Sequence, residues 1–220
     1  MKVAIIGASG KTGMKLVRES LKRGHQVVAV CRTLSADRLK EFADNDGCTV
    51  STAPVVSDLA ALTHALAGCD AVVAVLISAG NLKATELVRS LAKATAANGV
   101  KRLVFTAGEV TAVPEKDEAS SLRQRIMLPV FTLLSRFTPY SMTDMIKSSV
   151  LVRQQPDWDW TIVRAPTLNE EPGAGYRLCE INEVTAKHAL SREDYAACML
   201  DSLDNPEHYR RALTVVPAED

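Results

Sequence analysis

Short unbroken apolar runs recur along the chain, separated by stretches in which apolar positions return every three or four residues. Runs of the first kind read as strands covered on both faces, and stretches of the second kind as amphipathic helices, so the alternation predicts a doubly wound parallel sheet. Strands are expected at residues 3–7, 26–31, 48–52, 71–76, 102–106 and 161–164. One helix is expected to follow Gly13, with Met14, Leu16, Val17 and Leu21 on its inner face and Arg23-Gly24 as its stop. Two more are expected over 58–67 and 82–97, the latter presenting Leu87, Val88 and Leu91 on one face and ending at Asn98-Gly99. Residues 121–155 carry a helical pattern broken at Pro129 and Pro139, which predicts two or three helical pieces rather than one rod. Beyond Pro166 the pattern loosens: Glu170-Glu-Pro-Gly-Ala-Gly175 is turn chemistry, 176–181 is a short strand candidate, and Ser191-Arg-Glu-Asp194 caps a final helix reaching Leu203. The 220 residues are expected to form one α/β domain, with about 166–220 walling a pocket, because ligands of open sheets sit beyond the carboxyl ends of the strands.

The first strand runs straight into chemistry. Val3, Ala4, Ile5 and Ile6 lead into Gly7-Ala-Ser-Gly-Lys-Thr-Gly13 and then into a helix, the context that a dinucleotide-binding glycine turn requires. Gly7 allows the tight turn, Gly10 removes a side chain where a pyrophosphate approaches the backbone, and Gly13 permits close helix–strand packing. Phosphates would rest on the helix N-terminus, with Ser9, Lys11 and Thr12 in contact range. Gly10-Lys11-Thr12 imitates the end of a nucleoside-triphosphate loop, but that loop needs a glycine where Ile5 stands.

The end of the second strand bears on which coenzyme fits. An acid there would accept hydrogen bonds from the ribose 2′-hydroxyl of NAD, whereas an arginine suits the 2′-phosphate of NADP. Val27-Val-Ala-Val-Cys31 is followed by Arg32-Thr33, so Cys31 stands in the acid's place and NADP(H) is the expected cofactor.

Composition narrows the remaining classes. Lys plus Arg (26) balances Asp plus Glu (26), giving no net field toward nucleic acid or an anionic membrane. The absence of a charged-then-apolar leader or a bilayer-length apolar run predicts a cytoplasmic protein. Five cysteines without any Cys-x-x-Cys pair predict reduced thiols, and four dispersed histidines predict no metal site. A small-molecule partner is expected, in a monomer or homodimer.

With these residues in view the chain resembles the atypical short-chain dehydrogenase/reductases of the flavin reductase and biliverdin reductase B type, which shade into the NmrA-like NAD(P)-binding proteins. The shared landmarks are Gly7 to Gly13, Cys31-Arg32, Ser57-Asp58-Leu59, Gly68-Cys-Asp70, Val100 to Thr106, Trp160-Thr-Ile-Val-Arg-Ala-Pro166 and His188-Ala-Leu-Ser-Arg-Glu-Asp194. The resemblance implies a Rossmann-like fold in which Asp58 lies near the adenine, the 75–80 loop with Leu76 crosses the cofactor, and Thr106 sits beside the nicotinamide. Asp58 as a simple helix N-cap, and Thr106 as an ordinary strand-end residue, remain open.

One departure from the wider family matters. Standard members carry Tyr-x-x-x-Lys, which sets an ammonium beside a phenol for proton exchange with an alcohol or ketone. Around Lys147 this chain reads Thr143-Asp144-Met-Ile-Lys147, and Tyr140 would stand about 10 Å away along a helix. A flavin or quinone acceptor then fits better than a carbonyl, since hydride transfer to a flat ring is a matter of proximity and orientation. Thr106, Asp144 and Lys147 are the candidate catalytic or wall residues. The alternative is a non-catalytic NADP(H)-sensing protein of the NmrA-like kind; a sugar epimerase is disfavoured by the missing tyrosine.

Overall fold

The computed structural model describes residues 1–53, 58–75, 77–109, 133, 140–184 and 189–218. Leu76, Ser57, His188 and most of the 121–155 stretch, including Pro129 and Pro139, lie outside the described residues.

β1 (Lys2–Ile6), α1 (Lys11–Lys22), β2 (Gln26–Cys31), a 3-10 segment (Thr33–Phe42), β3 (Cys48–Thr52), α2 (Leu59–Ala65), β4 (Ala71–Ala74), α3 (Ala84–Asn98) and β5 (Arg102–Gly108) form the first half. Helix α4 (Met142–Arg153) leads into β6 (Asp159–Ala165), β7 (Thr167–Asn169), β8 (Tyr176–Cys179), β9 (Ala189–Ser191), α5 (Arg192–Asp201) and β10 (Arg211–Pro217). The main sheet has the order β3-β2-β1-β4-β5-β6-β10-β8.

Alternation along each strand divides the core into two layers, because successive side chains point to opposite faces. Ala4, Ile6, Val72, Leu103, Phe105 and Ile162 meet α2, α3 and α4 on one face. Val3, Ile5, Val73, Val104 and Val163 meet α1 and α5 on the other. Both faces are thus dry, which is why these strands read as continuous apolar runs.

Three features depart from the expectation. The sheet is not wholly parallel: β8 runs antiparallel to β10, with Val215 opposite Leu178. A strand that the pattern did not announce follows the last helix: β10 pairs in parallel with β6. Arg211, Ala212 and a closing Pro217 dilute the short apolar core of β10, so its strand pattern is weak until it pairs with β6. A separate two-stranded pair, β7 with β9, sets Asn169 opposite Ser191. The five cysteines are free thiols, and all but Cys48 are buried. No helix among the described residues is long and apolar enough to cross a membrane.

Candidate functional site

Strand order reverses between β1 and β4, with β2 beyond one and β5 beyond the other, so a crevice opens at their carboxyl ends. The glycine turn fills its floor. Gly7 takes φ 82°, and its N–H and that of Ala8 both donate to the Val30 carbonyl, at 3.0 and 3.1 Å. The Gly10 N–H donates to the Gly7 carbonyl at 3.0 Å, and Gly10 then caps α1 without any side-chain oxygen. A Cβ on Gly13 would lie 2.2 Å from the Gly7 oxygen and 2.7 Å from that of Ala8, so the helix approaches the turn as closely as only glycine allows.

The amides of Lys11, Thr12 and Gly13 meet no acceptor among the described residues. Unpaired amides at the positive end of a helix, with no side chain at Gly10 in front of them, form a cradle that a diphosphate fits. Ser9 and Thr12 are both nearly buried at its edge. Lys11 points to solvent and pairs with Glu170 at 3.5 Å, a loose surface contact.

At the β2 side of the cradle three polar groups converge. Arg32 is exposed, and its guanidinium forms no ion pair among the described residues. Ser35 returns to it: the Ser35 N–H and hydroxyl both donate to the Arg32 carbonyl, at 2.9 and 3.0 Å, while the Ser9 hydroxyl donates to Ser35 Oγ at 2.8 Å. Burial pushes the Cys31 thiol up, opposed by its hydrogen bond with Ser35. The residue at the end of β2 is therefore neutral. Sequence reasoning missed Ser35, although a hydroxyl three residues past Arg32 is the signal of such a turn. Asp58 is the N-cap of α2, its Oδ1 accepting the Ala61 N–H at 2.9 Å.

On the β4 side, Val75 packs against the turn: its N–H donates to the Ile6 carbonyl at 3.0 Å, and its Cβ would be 3.4 Å from a Cβ on Gly7. Thr106 is buried near the carboxyl end of β5, opposite Val163. Asp144, on the first turn of α4, reaches back to the segment after β4. Its Oδ2 accepts from Ser78 Oγ at 2.6 Å and its Oδ1 from Thr85 Oγ1 at 2.6 Å. Burial would raise this carboxyl, but the hydrogen bonds from Ser78 and Thr85 outweigh it and hold the group below its ordinary 3.8. Lys147 is on the exposed side of α4, and Tyr140 stands before the helix, its backbone bridged to Ala79.

The other three tyrosines are committed elsewhere. The Tyr195 hydroxyl donates to the Val163 carbonyl at 2.8 Å within the core, Tyr176 binds Asp201, and the Tyr209 ring lies under the Arg102 guanidinium. No tyrosine shares a helix with Lys147.

The turn after β7 is fastened to α5. The Asp194 carboxylate, nearly buried, accepts the N–H groups of Ala174 at 2.9 Å and Gly175 at 3.2 Å. A Cβ on Gly173 would lie 2.8 Å from Asp194 Oδ1. Ser191 caps α5, and Arg192 pairs with Glu170 at 2.7 Å, so the Ser-Arg-Glu-Asp segment binds this turn beside the start of α1.

The structure thus brings Gly7, Ser9, Gly10, Lys11, Thr12, Gly13 and Arg32 to one cleft edge and gathers Asp144, Ser78 and Thr85 at the β4 side. It sets Lys147 toward solvent.

An uncharacterised protein of Bacillus subtilis (strain 168), YwnB, is 26% identical over 224 residues, covering 98% of each chain. A probable pinoresinol-lariciresinol reductase 3 of Arabidopsis thaliana is 34% identical over 122 residues, 55% of this chain and 38% of that protein. Among solved structures, a short-chain dehydrogenase/reductase of Veillonella parvula DSM 2008 in complex with NADP superposes with a TM-score of 0.80, at 18% identity, over 99% of this chain and 94% of that one. The family model described as NAD(P)H-binding matches residues 7–206, from the first glycine of the turn to the segment after α5. The chain belongs to the NAD(P)H-binding family, on a Rossmann-like fold.

Proposed function

We propose that this protein is an NADPH-dependent oxidoreductase that passes a hydride to a flat acceptor such as a flavin or quinone, without a tyrosine–lysine acid/base pair. The observation that carries the reading is that no tyrosine shares a helix with Lys147 and that Tyr176, Tyr195 and Tyr209 are held elsewhere, beside an intact phosphate cradle. When bound, the coenzyme supplies the hydride.

The chain's own residues bind and orient. The amides of Lys11, Thr12 and Gly13 take the diphosphate. The Arg32 guanidinium, which forms no ion pair among the described residues, takes the 2′-phosphate with the Ser9 and Ser35 hydroxyls, and no carboxylate at the end of β2 opposes it. The NADP complex of the Veillonella relative supports the same choice. Thr106, in the strand end facing the crevice, orients the acceptor or the carboxamide. Ile77 and Tyr140 expose large apolar surfaces on the β4 side, against which a flat ring can lie. Lys147, on the solvent side of α4, is a wall residue; the proton that follows the hydride comes from water.

The test follows NADPH absorbance with riboflavin-type and quinone acceptors, and measures Kd for NADPH and NADH by calorimetry. Turnover with at least one flat acceptor is expected. Arg32→Ala is expected to weaken NADPH by about ten- to a hundredfold, the worth of hydrogen bonds to a charged group, while leaving NADH nearly unchanged. Equal losses for both nucleotides would remove the assignment of Arg32. Tight NADPH binding without turnover on any acceptor would favour a cofactor sensor instead.

A further inference from the structure

We infer that Asp144 is a positioning residue, whose carboxylate locks the loop between β4 and α3 onto α4 and so fixes the nicotinamide half of the cleft. This rests on the coenzyme reading above. Because β2 and β4 flank β1 on opposite sides, a coenzyme with its 2′-phosphate at Arg32 extends its other half past the end of β4.

The lock has a definite construction. Ser78 is fully buried and Thr85 nearly so, although both are hydroxyl residues. Ser78 Oγ accepts the Ala84 N–H at 3.2 Å, so its own hydrogen is directed to Asp144 Oδ2, 2.6 Å away. The Thr85 hydroxyl donates to Oδ1 at 2.6 Å and the Thr85 N–H to Oδ2 at 3.3 Å. A second strand of the same tie runs from the Ser141 N–H to the Ser78 carbonyl at 2.9 Å. Between the two ties the loop is held by its own turn, Ala79 bridging both Leu82 and Tyr140. Its tip is open, since a Cβ on Gly80 would meet nothing within 4 Å, and Ile77, just before the anchored Ser78, is exposed. The loop is therefore anchored through Ser78 and leaves the apolar side chain of Ile77, next to that anchor, exposed.

An acid of this kind does not serve as the proton donor. Every hydrogen bond it receives favours the ionised form, which has no proton to give. Its value lies in geometry: two short hydroxyl contacts on one carboxylate define the loop better than neutral groups would. In an asparagine at this position one of the two terminal atoms becomes a donor, facing hydroxyls that are already donating.

The experiment compares the full chain with Asp144→Asn, Ser78→Ala and Thr85→Val, using two ligands. Adenosine 2′,5′-bisphosphate reports only the glycine-turn and Arg32 half, whereas NADPH reports both halves. In Asp144→Asn, NADPH binding is expected to fall about tenfold with bisphosphate binding unchanged, and single-turnover hydride transfer to a quinone about a hundredfold, the scale of a misplacement near 1 Å. Ser78→Ala and Thr85→Val are expected to reproduce part of the loss, and Thr85→Val combined with Asp144→Asn to add little to Asp144→Asn alone. Equal loss of both ligands, or none of either, would overturn the assignment, as would a defect in Asp144→Asn that neither hydroxyl variant shares. A wild-type chain that binds neither ligand would bring down the coenzyme reading as well, and that failure is visible before any variant is made.

Discussion

Replacing Gly13 with alanine adds one methyl group at the tightest point of the glycine turn. That carbon would sit 2.2 Å from the Gly7 carbonyl oxygen and 2.7 Å from that of Ala8, and both obstacles are backbone. Relief to ordinary contact requires α1 to retreat by roughly 1 Å, since carbon and oxygen rest at about 3.5 Å. The amides of Lys11, Thr12 and Gly13 move with it, and a hydrogen bond lengthened by that amount is largely lost. Losing two bonds to a charged diphosphate weakens the coenzyme by about a hundredfold or more, at about 1.5–3 kcal/mol each. Overpacking also destabilises the fold by about 1–3 kcal/mol, a fall of roughly 3–10 °C in Tm for a chain of this size. Gly99→Ala is the control: Gly99 takes φ 69° at the end of α3 with nothing within 4 Å, so alanine there costs about 1–2 kcal/mol through strain alone. Calorimetric titration with NADPH and thermal melts on both variants separate the two effects. Gly13→Ala binding NADPH as tightly as Gly99→Ala would refute the claim that the α1 amides hold the diphosphate.

Two further outcomes follow from the turn after β7 and from the segment after α5. Asp194→Ala leaves the Ala174 and Gly175 amides without their acceptor, so it is expected to lose about 1–3 kcal/mol and to speed hydrogen exchange at those two amides; unchanged exchange there would show that the turn holds itself. His208 lies against Ser202 and Asn205, and burial, with Arg102 and Arg211 nearby, keeps its imidazole below the ordinary 6.5. A histidine depressed in the fold contributes stability that is complete above 6.5 and is lost as pH falls through its folded value, because the unfolded chain takes the proton first. Urea midpoints measured between about pH 8 and about pH 5.5 should therefore fall, and fall less in His208→Gln; identical slopes for both proteins would exclude this histidine as a cause.

The sequence by itself determined the layered α/β arrangement, the glycine turn, the neutral end of β2 and the missing phenol beside Lys147. Each of these is local: buried strands show as apolar runs, a turn shows as glycines at fixed spacing, and a helical pair shows within four positions. β2 was legible to the residue as an apolar run between His25 and Arg32, and β3 as a short β-branched run opening after Gly47. Contacts between distant segments left no such trace. Asp144 lies 66 residues from Ser78 and 59 from Thr85, and Asp194 lies 20 from Ala174, so nothing in either local pattern points to the other. Ser35 became part of the Arg32 cluster only when the turn after β2 folded back onto Ser9. The strand β10 emerged for the same reason: its short apolar run became a strand by inserting between β6 and β8, where partners on both sides supply the hydrogen bonds that its own sequence cannot. Spacing along the chain thus specified which elements form, while their packing alone decided which carboxylate meets which hydroxyl from a distant segment.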